Sequence, residues 1–280
     1  MSNPPRVGVT TDTVDINDLE DEVNAKLQNV NIYQDVRKLA DAWEWIPPLD
    51  DHKGVSMVME FQDAKLQDIL DGKFDSDMKN VAKVAKEDGR RVWMRPLHEF
   101  NSDWYSWGTY RDGFEKVNTR DQFKKAFRKI VTLFRQEGAT NLRWQLSYNN
   151  NSPKDDPRPF SEWWPGRDVV DMVTCSAYNR AGIDSYHKDF KSFDEVYGPA
   201  YDRMKKLDKT VKLGVGETST SGVGGSRSDW FYGAFKSIAD GHYPRMRLIN
   251  FFLENKDMDW RLNTQSEKDA FGRGLRLLRP

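Results

Sequence analysis

The sequence contains only one cysteine and four histidines among 280 residues, so few side chains are available for thiol, disulfide or imidazole chemistry. Cys175 alone permits no intrachain disulfide, and its apolar surroundings predict a small buried residue. Lysine and arginine total 43 while aspartate and glutamate total 44, so no net field attracts nucleic acid or an anionic membrane. No apolar run approaches the length of about 18 residues that a membrane span needs.

What the sequence does contain is an alternation of short β-rich runs with amphipathic helical stretches. The runs that predict strands are residues 6–11, 30–34, 54–61, 91–97, 142–148, 169–178, 211–217 and 248–253. The stretches that predict helices are residues 18–27, 36–45, 65–88, 121–136, 193–207, 228–240 and 266–278. Residues 149–167 lack helical periodicity and predict a long loop.

Eight strands alternating with helices predict a parallel sheet, and their number favours a closed (β/α)₈ TIM barrel. We expect residues 1–280 to form a single catalytic domain, near the size of roughly 250 residues that is typical of such barrels. The competing fold is an open, doubly wound sheet. It is disfavoured because the first predicted strand is not followed by the G-x-G-x-x-G fingerprint.

The most informative segment follows the fourth predicted strand, where Arg95, His98 and Glu99 precede a cluster of aromatic residues. Glu217 ends the seventh predicted strand. Because the active site of a TIM barrel lies at the C-terminal strand ends, the two carboxylates are expected to face each other across the mouth. A glycosidase typically needs two carboxylates at its active site, and aromatic rings stack on the apolar faces of sugars.

Each of these residues also has a purely structural interpretation. Glu99 could be a solvated loop acid, Glu217 a helix-cap acid and His98 a satisfied structural histidine. The presence of all these residues together with the surrounding aromatics favours a catalytic site over the structural interpretations. Arg95 could then hold Glu217 ionised, or could equally neutralise one acid of the barrel interior. Tyr178, at the end of the sixth predicted strand, could reach the nucleophilic carboxylate with its hydroxyl, or could be a plain core tyrosine.

Other chemistry finds little support in the sequence. His98-Glu99 is not followed by the second histidine of a zinc-protease helix, and no phosphate-binding loop or serine elbow is present. We therefore expect no cofactor and no metal. The expected partner is a β-linked polysaccharide or oligosaccharide rather than nucleic acid or a membrane, and the even charge distribution favours a monomer.

Residues 95–108 read R-x-x-H-E-x-N-x-x-W-Y-x-W-G, which resembles the acid/base motif of glycoside hydrolase family 26. That family contains β-mannanases, mixed-linkage β-glucanases (lichenases) and β-1,3-xylanases. Residues 216–218 resemble its nucleophile strand, residues 170–178 its sixth strand, and residues 259–262 the motif after its last strand. The similarity follows the chain in order over nearly its whole length.

The resemblance implies a retaining enzyme in which Glu99 is the general acid/base and Glu217 the nucleophile. In retaining glycosidases the two carboxyl groups are about 5–5.5 Å apart. The residues expected to bind substrate are Arg95, His98, Trp104, Trp107, Tyr178, Phe251 and Trp260. Phe251 and Phe252 stand where the family commonly has a tryptophan that forms the sugar floor.

The expected activity is endo-cleavage of β-1,4-mannosidic bonds in mannan or glucomannan. A mixed-linkage β-1,3-1,4-glucanase with the same two glutamates is the alternative, because residues 100–102 and 104–108 depart from the usual mannanase pattern. A non-catalytic sugar-binding barrel is disfavoured, since both carboxylates are present. The substrate implies secretion, whereas the first residues lack a signal peptide; a processed chain, unconventional export or a virion-associated depolymerase would each fit.

Overall fold

The computed structural model describes residues 4–12, 16–43 and 53–279. Within these ranges eight parallel strands form a closed barrel in sequence order, and β1 pairs with β8. The strands are β1 (Arg6–Thr11), β2 (Asn29–Asp35), β3 (Gly54–Glu60), β4 (Val92–Pro96), β5 (Arg143–Asn149), β6 (Met172–Ser176), β7 (Lys212–Thr218) and β8 (Met246–Leu253). The TIM barrel predicted from the sequence is confirmed.

Helices connect the strands on the outside of the barrel. They are α1 (Asn17–Val23), α2 (Val36–Trp43), α3 (Leu66–Leu70), α4 (Asp75–Asp88), α5 (Arg120–Gln136), α6 (Phe193–Lys205), α7 (Arg227–Ala239) and α8 (Gln265–Leu278). No helix in the described ranges is both long and apolar enough to cross a membrane.

The boundaries differ from the prediction where single residues take left-handed backbone conformations. The predicted helix over 65–88 is two helices, because Gly72 has a φ of 85° and turns the chain between α3 and α4. The first helix ends early at Asn24, whose φ is 49°. Residue 45, predicted to end the second helix, lies outside the described residues. The predicted loop over 149–167 contains two short 3₁₀ turns.

Helix α5 shows how the sequence sets one of these elements. Thr119 caps it by accepting from the backbone N–H of Gln122 at 3.1 Å, while the Gln122 side chain accepts from the Thr119 N–H at 2.8 Å. This reciprocal pair is a capping box. Gly138, with a φ of 87°, ends the helix as the sequence indicates.

The interior of the barrel is polar. Asn29 donates to Ser56 at 3.2 Å and to Asn250 at 2.9 Å, and all three side chains are fully buried. TIM barrels more commonly fill this space with branched aliphatic side chains. Here the aromatic core lies instead between the sheet and the helices, and polar groups extend along the barrel axis towards the mouth.

Candidate active site

Glu99 lies in a tight turn directly after β4. Leu97 and Glu99 both have left-handed backbones, with φ of 53° and 54°, which is uncommon outside glycine. The N–H of Glu99 donates to the Ser147 carbonyl on β5 at 2.8 Å, which anchors the turn to the neighbouring strand. Backbone strain held by its surroundings is characteristic of functional sites.

The direction in which the Glu217 side chain points is set by an irregularity in β7. Along β6 the pairing passes from Cys175–Val215 directly to Ser176–Glu217, so Gly216 is an extra residue on β7. Bulges of this kind re-aim the side chains that follow them. Glu217 and Glu99 are each 6% exposed at the barrel mouth, and each carboxylate influences the protonation of the other.

Glu217 is surrounded by groups that favour its charged form. Its Oε1 lies 3.0 Å from Nη2 of the fully buried Arg95, and Oε2 accepts from the Tyr178 hydroxyl at 2.9 Å. Burial alone would raise the pKa of Glu217, but its surroundings hold the pKa below the ordinary value, with the charge of Arg95 the largest lowering influence and hydrogen bonds from Tyr33 and Tyr178 among the others. Glu217 is therefore the ionised member of the pair.

Glu99 has the opposite protonation preference. Burial, reinforced by the charge of Glu217, raises the pKa of Glu99 to about 7, while the nearby Ser176 and Trp104 act in the other direction. Trp104 donates its indole N–H to Oε2 of Glu99 at 2.9 Å, and its ring is 50% exposed. Glu99 therefore keeps its proton in weakly acidic solution, as a general acid must.

His98 is a neutral group in this site. Its Nε2 lies 2.7 Å from the Tyr105 hydroxyl, and burial lowers the pKa of the imidazole to about 3. Tyr105 stacks on Trp107 at a centroid distance of 4.4 Å, and Trp107 donates its indole N–H to the His98 carbonyl at 2.9 Å. The aromatic layer thus fixes both the backbone and the ring of His98.

A cavity of about 290 Å³ opens at the ends of β1, β2, β3 and β8. Tyr33 and Phe252 line it, with their rings edge to face at 6.1 Å. Glu60, Glu254 and Lys256 add charged groups to its wall, and burial raises the pKa of both glutamates. The cavity adjoins the carboxylates, because Tyr33 accepts a hydrogen bond from Arg95 at 2.9 Å.

The structure brings four of the predicted substrate-binding residues to the carboxylates. Trp104 and Tyr178 hydrogen-bond to Glu99 and Glu217, and His98 lies within the same aromatic cluster. Arg95 is there too, but it is fully buried and its partners are Glu217 and Tyr33. Arg95 thus orients the carboxylate, and the structure shows no accessible surface on it for a sugar.

The structure does not bring Phe251 to the predicted site. Its ring is fully buried and packs against Phe235 and Phe271 at centroid distances of 5.1 and 4.9 Å, in the layer between the sheet and helices α7 and α8. Successive side chains on a strand point to opposite faces, so Phe252 is the residue that turns towards the mouth.

Trp107 and Trp260 lie one layer behind the surface that a sugar would touch, because each is 1% exposed. The Trp260 ring packs 5.1 Å from that of Tyr178, and its indole N–H donates to Asp257 at 2.8 Å. Neither ring offers an open surface for direct contact with substrate, and both residues support groups that face the site.

Sequence reasoning missed Tyr33, Glu60 and Lys256. Tyr33 lies two residues before the end of β2 and Glu60 is the last residue of β3, so the rule that places a site at C-terminal strand ends could have found them. Lys256 lies in the loop after β8 and carries no motif that distinguishes it from other surface lysines.

Together, these groups suit acid–base and nucleophilic chemistry on a neutral polymer. One carboxyl retains its proton to about pH 7 and the other is held ionised, which is the division of roles that glycosidic bond cleavage requires. In the described part of the chain, no three His, Cys, Asp or Glu side chains gather as a possible metal site. The fold and the site are those of a glycoside hydrolase.

Sequence comparison supports the same class. The family model described as "Glycosyl hydrolase family 26" matches residues 8–212, so the chain belongs to glycosyl hydrolase family 26. The match ends before Glu217, whose assignment therefore rests on the geometry of β7.

Two curated relatives and one solved structure illustrate the similarity. Endoglucanase H of Acetivibrio thermocellus is 33% identical over 213 residues, which is 74% of this chain and 23% of that protein. A mannan endo-1,4-β-mannosidase of Bacillus subtilis is 31% identical over 164 residues, 57% of this chain and 38% of that protein. The modular endo-β-1,4-mannanase of Cellulomonas fimi shares the fold with a TM-score of 0.72 at 12% identity, over 96% of this chain and 70% of that one.

Proposed function

We propose that this chain is an endo-acting, retaining glycoside hydrolase that cleaves β-1,4-mannosidic bonds in mannan or glucomannan. The observation that supports the chemistry best is the unequal protonation of the two carboxyls: the pKa of Glu99 is raised to about 7 and that of Glu217 is lowered. The similarity to a mannan endo-1,4-β-mannosidase supports the choice of mannan.

In the first step the Glu217 carboxylate attacks the anomeric carbon while Glu99 donates its proton to the departing glycosidic oxygen. This forms a glycosyl ester on Glu217 and releases the aglycone as an alcohol. In the second step Glu99, now ionised, removes a proton from water, and the resulting nucleophile displaces Glu217. Both carboxyls return to their starting states.

The surroundings suggest where the sugars bind. Trp104 is half exposed and hydrogen-bonds to the proposed acid, so its ring can stack on the sugar that leaves. The cavity lined by Tyr33 and Phe252 would hold the sugar on the other side of the bond, with Glu60 and Lys256 as partners for its hydroxyls. A polymer of this kind is met outside the cell, where we expect the enzyme to act.

A mixed-linkage β-1,3-1,4-glucan is the second candidate substrate. It is favoured by the 33% identity to Endoglucanase H over 213 residues. Mannose and glucose differ in the orientation of the 2-hydroxyl, so different hydrogen-bond partners near that hydroxyl would separate the two activities. The proposed mechanism is the same for both.

Reducing-end release should be measured on glucomannan, galactomannan, barley β-glucan and β-1,3-xylan. Release from both mannans but not from barley glucan is the expected result, and release from barley glucan alone would transfer the proposal to the second substrate. Glu217→Ala should abolish release while the fold is retained. Glu87→Gln removes an exposed charge on α4 and is the matched control. Wild-type activity in Glu217→Ala would overturn the proposed mechanism.

A further inference from the structure

Gly216, the extra residue on β7, lies at a point where polar atoms from three other strands meet. A Cβ atom at this position would lie 2.3 Å from Nη1 of Arg95, 2.9 Å from Oγ of Ser147 and 3.2 Å from Oγ1 of Thr174. These atoms belong to β4, β5 and β6. A Cβ atom would clash with the guanidinium at that distance, so glycine is what lets Arg95 pack this closely against β7, beneath the proposed nucleophile.

None of these three polar atoms has a hydrogen-bond partner within the described residues. Arg95, Ser147 and Thr174 are all fully buried. Buried polar atoms are nearly always satisfied by protein groups or by ordered water, and a buried water typically makes about three hydrogen bonds. One N–H donor and two hydroxyls, which can each donate or accept, match the hydrogen-bonding capacity of one water molecule.

The charges nearby favour water over an ion. The Arg95 guanidinium repels a cation, and Glu217, 3.0 Å from the same guanidinium, repels an anion.

We propose that one buried water bridges these three polar atoms, that glycine at position 216 lets the Arg95 guanidinium pack against β7 beside it, and that this water holds Arg95 in register with Glu217. Gly216 is then a positioning residue: it acts through Arg95 and does not contact substrate. Ser147 joins this site to the acid as well, since its carbonyl accepts from the Glu99 N–H at 2.8 Å. The effect on turnover rests on the proposed function, whereas the water site itself does not.

The kinetic test is Gly216→Ala, with Gly233→Ala as the control. The new methyl group would displace the Arg95 guanidinium, so kcat should fall about 10- to 100-fold, the range for losing a charged hydrogen bond, with little change in KM. The acidic limb of the pH profile of kcat/KM should move upward, because Glu217 loses cationic support. Gly233 has no heavy atom within 4 Å of its Cβ position, and its alanine variant should match wild type.

Thr174→Val tests the same site without adding bulk, which covers the case in which Gly216→Ala does not fold. It replaces the hydroxyl with a methyl group of similar size and removes one partner of the water. The acidic limb of the pH profile of kcat/KM should again move upward, by a smaller amount than in Gly216→Ala. A wild-type kcat and acidic limb in both Gly216→Ala and Thr174→Val would overturn the proposed positioning role.

High-resolution crystallography tests the water site independently of activity. Wild-type crystals should show a density peak within hydrogen-bond distance of Arg95, Ser147 and Thr174, and crystals of Gly216→Ala should lack it. Crystals soaked in bromide should show no anomalous peak there. An empty position in wild type, or a bromide peak, would overturn the assignment of water even if the enzyme cleaves mannan. Inactivity on every polysaccharide, with the water present, would instead overturn only the proposed function.

Discussion

Glu99→Gln should make the protein more stable than wild type at pH 8 but not at pH 4. Burial and the charge of Glu217 raise the pKa of Glu99 from an ordinary 4.5 to about 7 in the folded protein. Below the lower value both the folded and the unfolded chain are protonated, and stability is unaffected. Between the two values only the unfolded chain ionises, so wild type loses stability as the pH rises from about 4.5 to about 7, and the loss is complete above that pH.

The two pKa values differ by about 2.5, and each pKa unit corresponds to about 1.36 kcal/mol, so wild type should lose roughly 3 kcal/mol by pH 8. Glutamine stays neutral at every pH and retains an oxygen that can accept from Trp104 at the same position. For a chain of this size the gain in the variant corresponds to an unfolding temperature higher by about 6 °C.

Thermal unfolding followed by circular dichroism at pH 4, 5, 6, 7 and 8 measures this directly. The difference between Glu99→Gln and wild type should grow from near zero to its full value across the range. Glu87→Gln, on the exposed surface of α4, should show no such growth. A difference for Glu99→Gln that is independent of pH would refute the raised pKa and with it the role of Glu99 as the protonated acid.

Further predictions concern activity. Trp104→Phe should move the basic limb of the pH profile of kcat/KM upward from about 7, by up to about one pH unit, because the indole N–H stabilises ionised Glu99. Tyr178→Phe should raise the pKa of Glu217 and reduce kcat about tenfold, seen as an upward move of the acidic limb. Phe252→Ala should raise KM more than it lowers kcat if the cavity binds sugar; an unchanged KM would remove that surface from the binding site. Proton NMR should show the β-anomer as the first product, and initial release of the α-anomer would contradict retention.

The barrel and the two carboxylates were accessible from the sequence because their signals are local. Strand and helix periods repeat along the chain, and the barrel rule then places the strand ends, and so Glu99 and Glu217, at one face. The pairing of Arg95 with Glu217 was one of two roles that the sequence left open for Arg95, and the structure has the two side chains 3.0 Å apart.

The sequence-based expectations and the structure differ where the role of a side chain depends on how deeply it is buried or on the face of the strand from which it points. An aromatic residue after a strand end can line a groove or lie beneath it, and only packing shows that Trp107 and Trp260 are beneath. Phe251 and Phe252 are equally apolar, so composition could not decide which one faces the mouth. The bulge at Gly216 leaves no signal in the sequence, because it is a mismatch between two strands.

The turn that carries Glu99 has a consequence for how this protein can diversify. Its position is set by the backbone, through two left-handed residues and a bond to β5, and by Trp107 of the following loop, which donates to the His98 carbonyl. Trp104 belongs to that following loop and stands half in solvent. Variation of the exposed positions of this loop, with Trp104 and Trp107 retained, can therefore alter the surface that a polymer meets while both carboxyls keep their positions and their protonation.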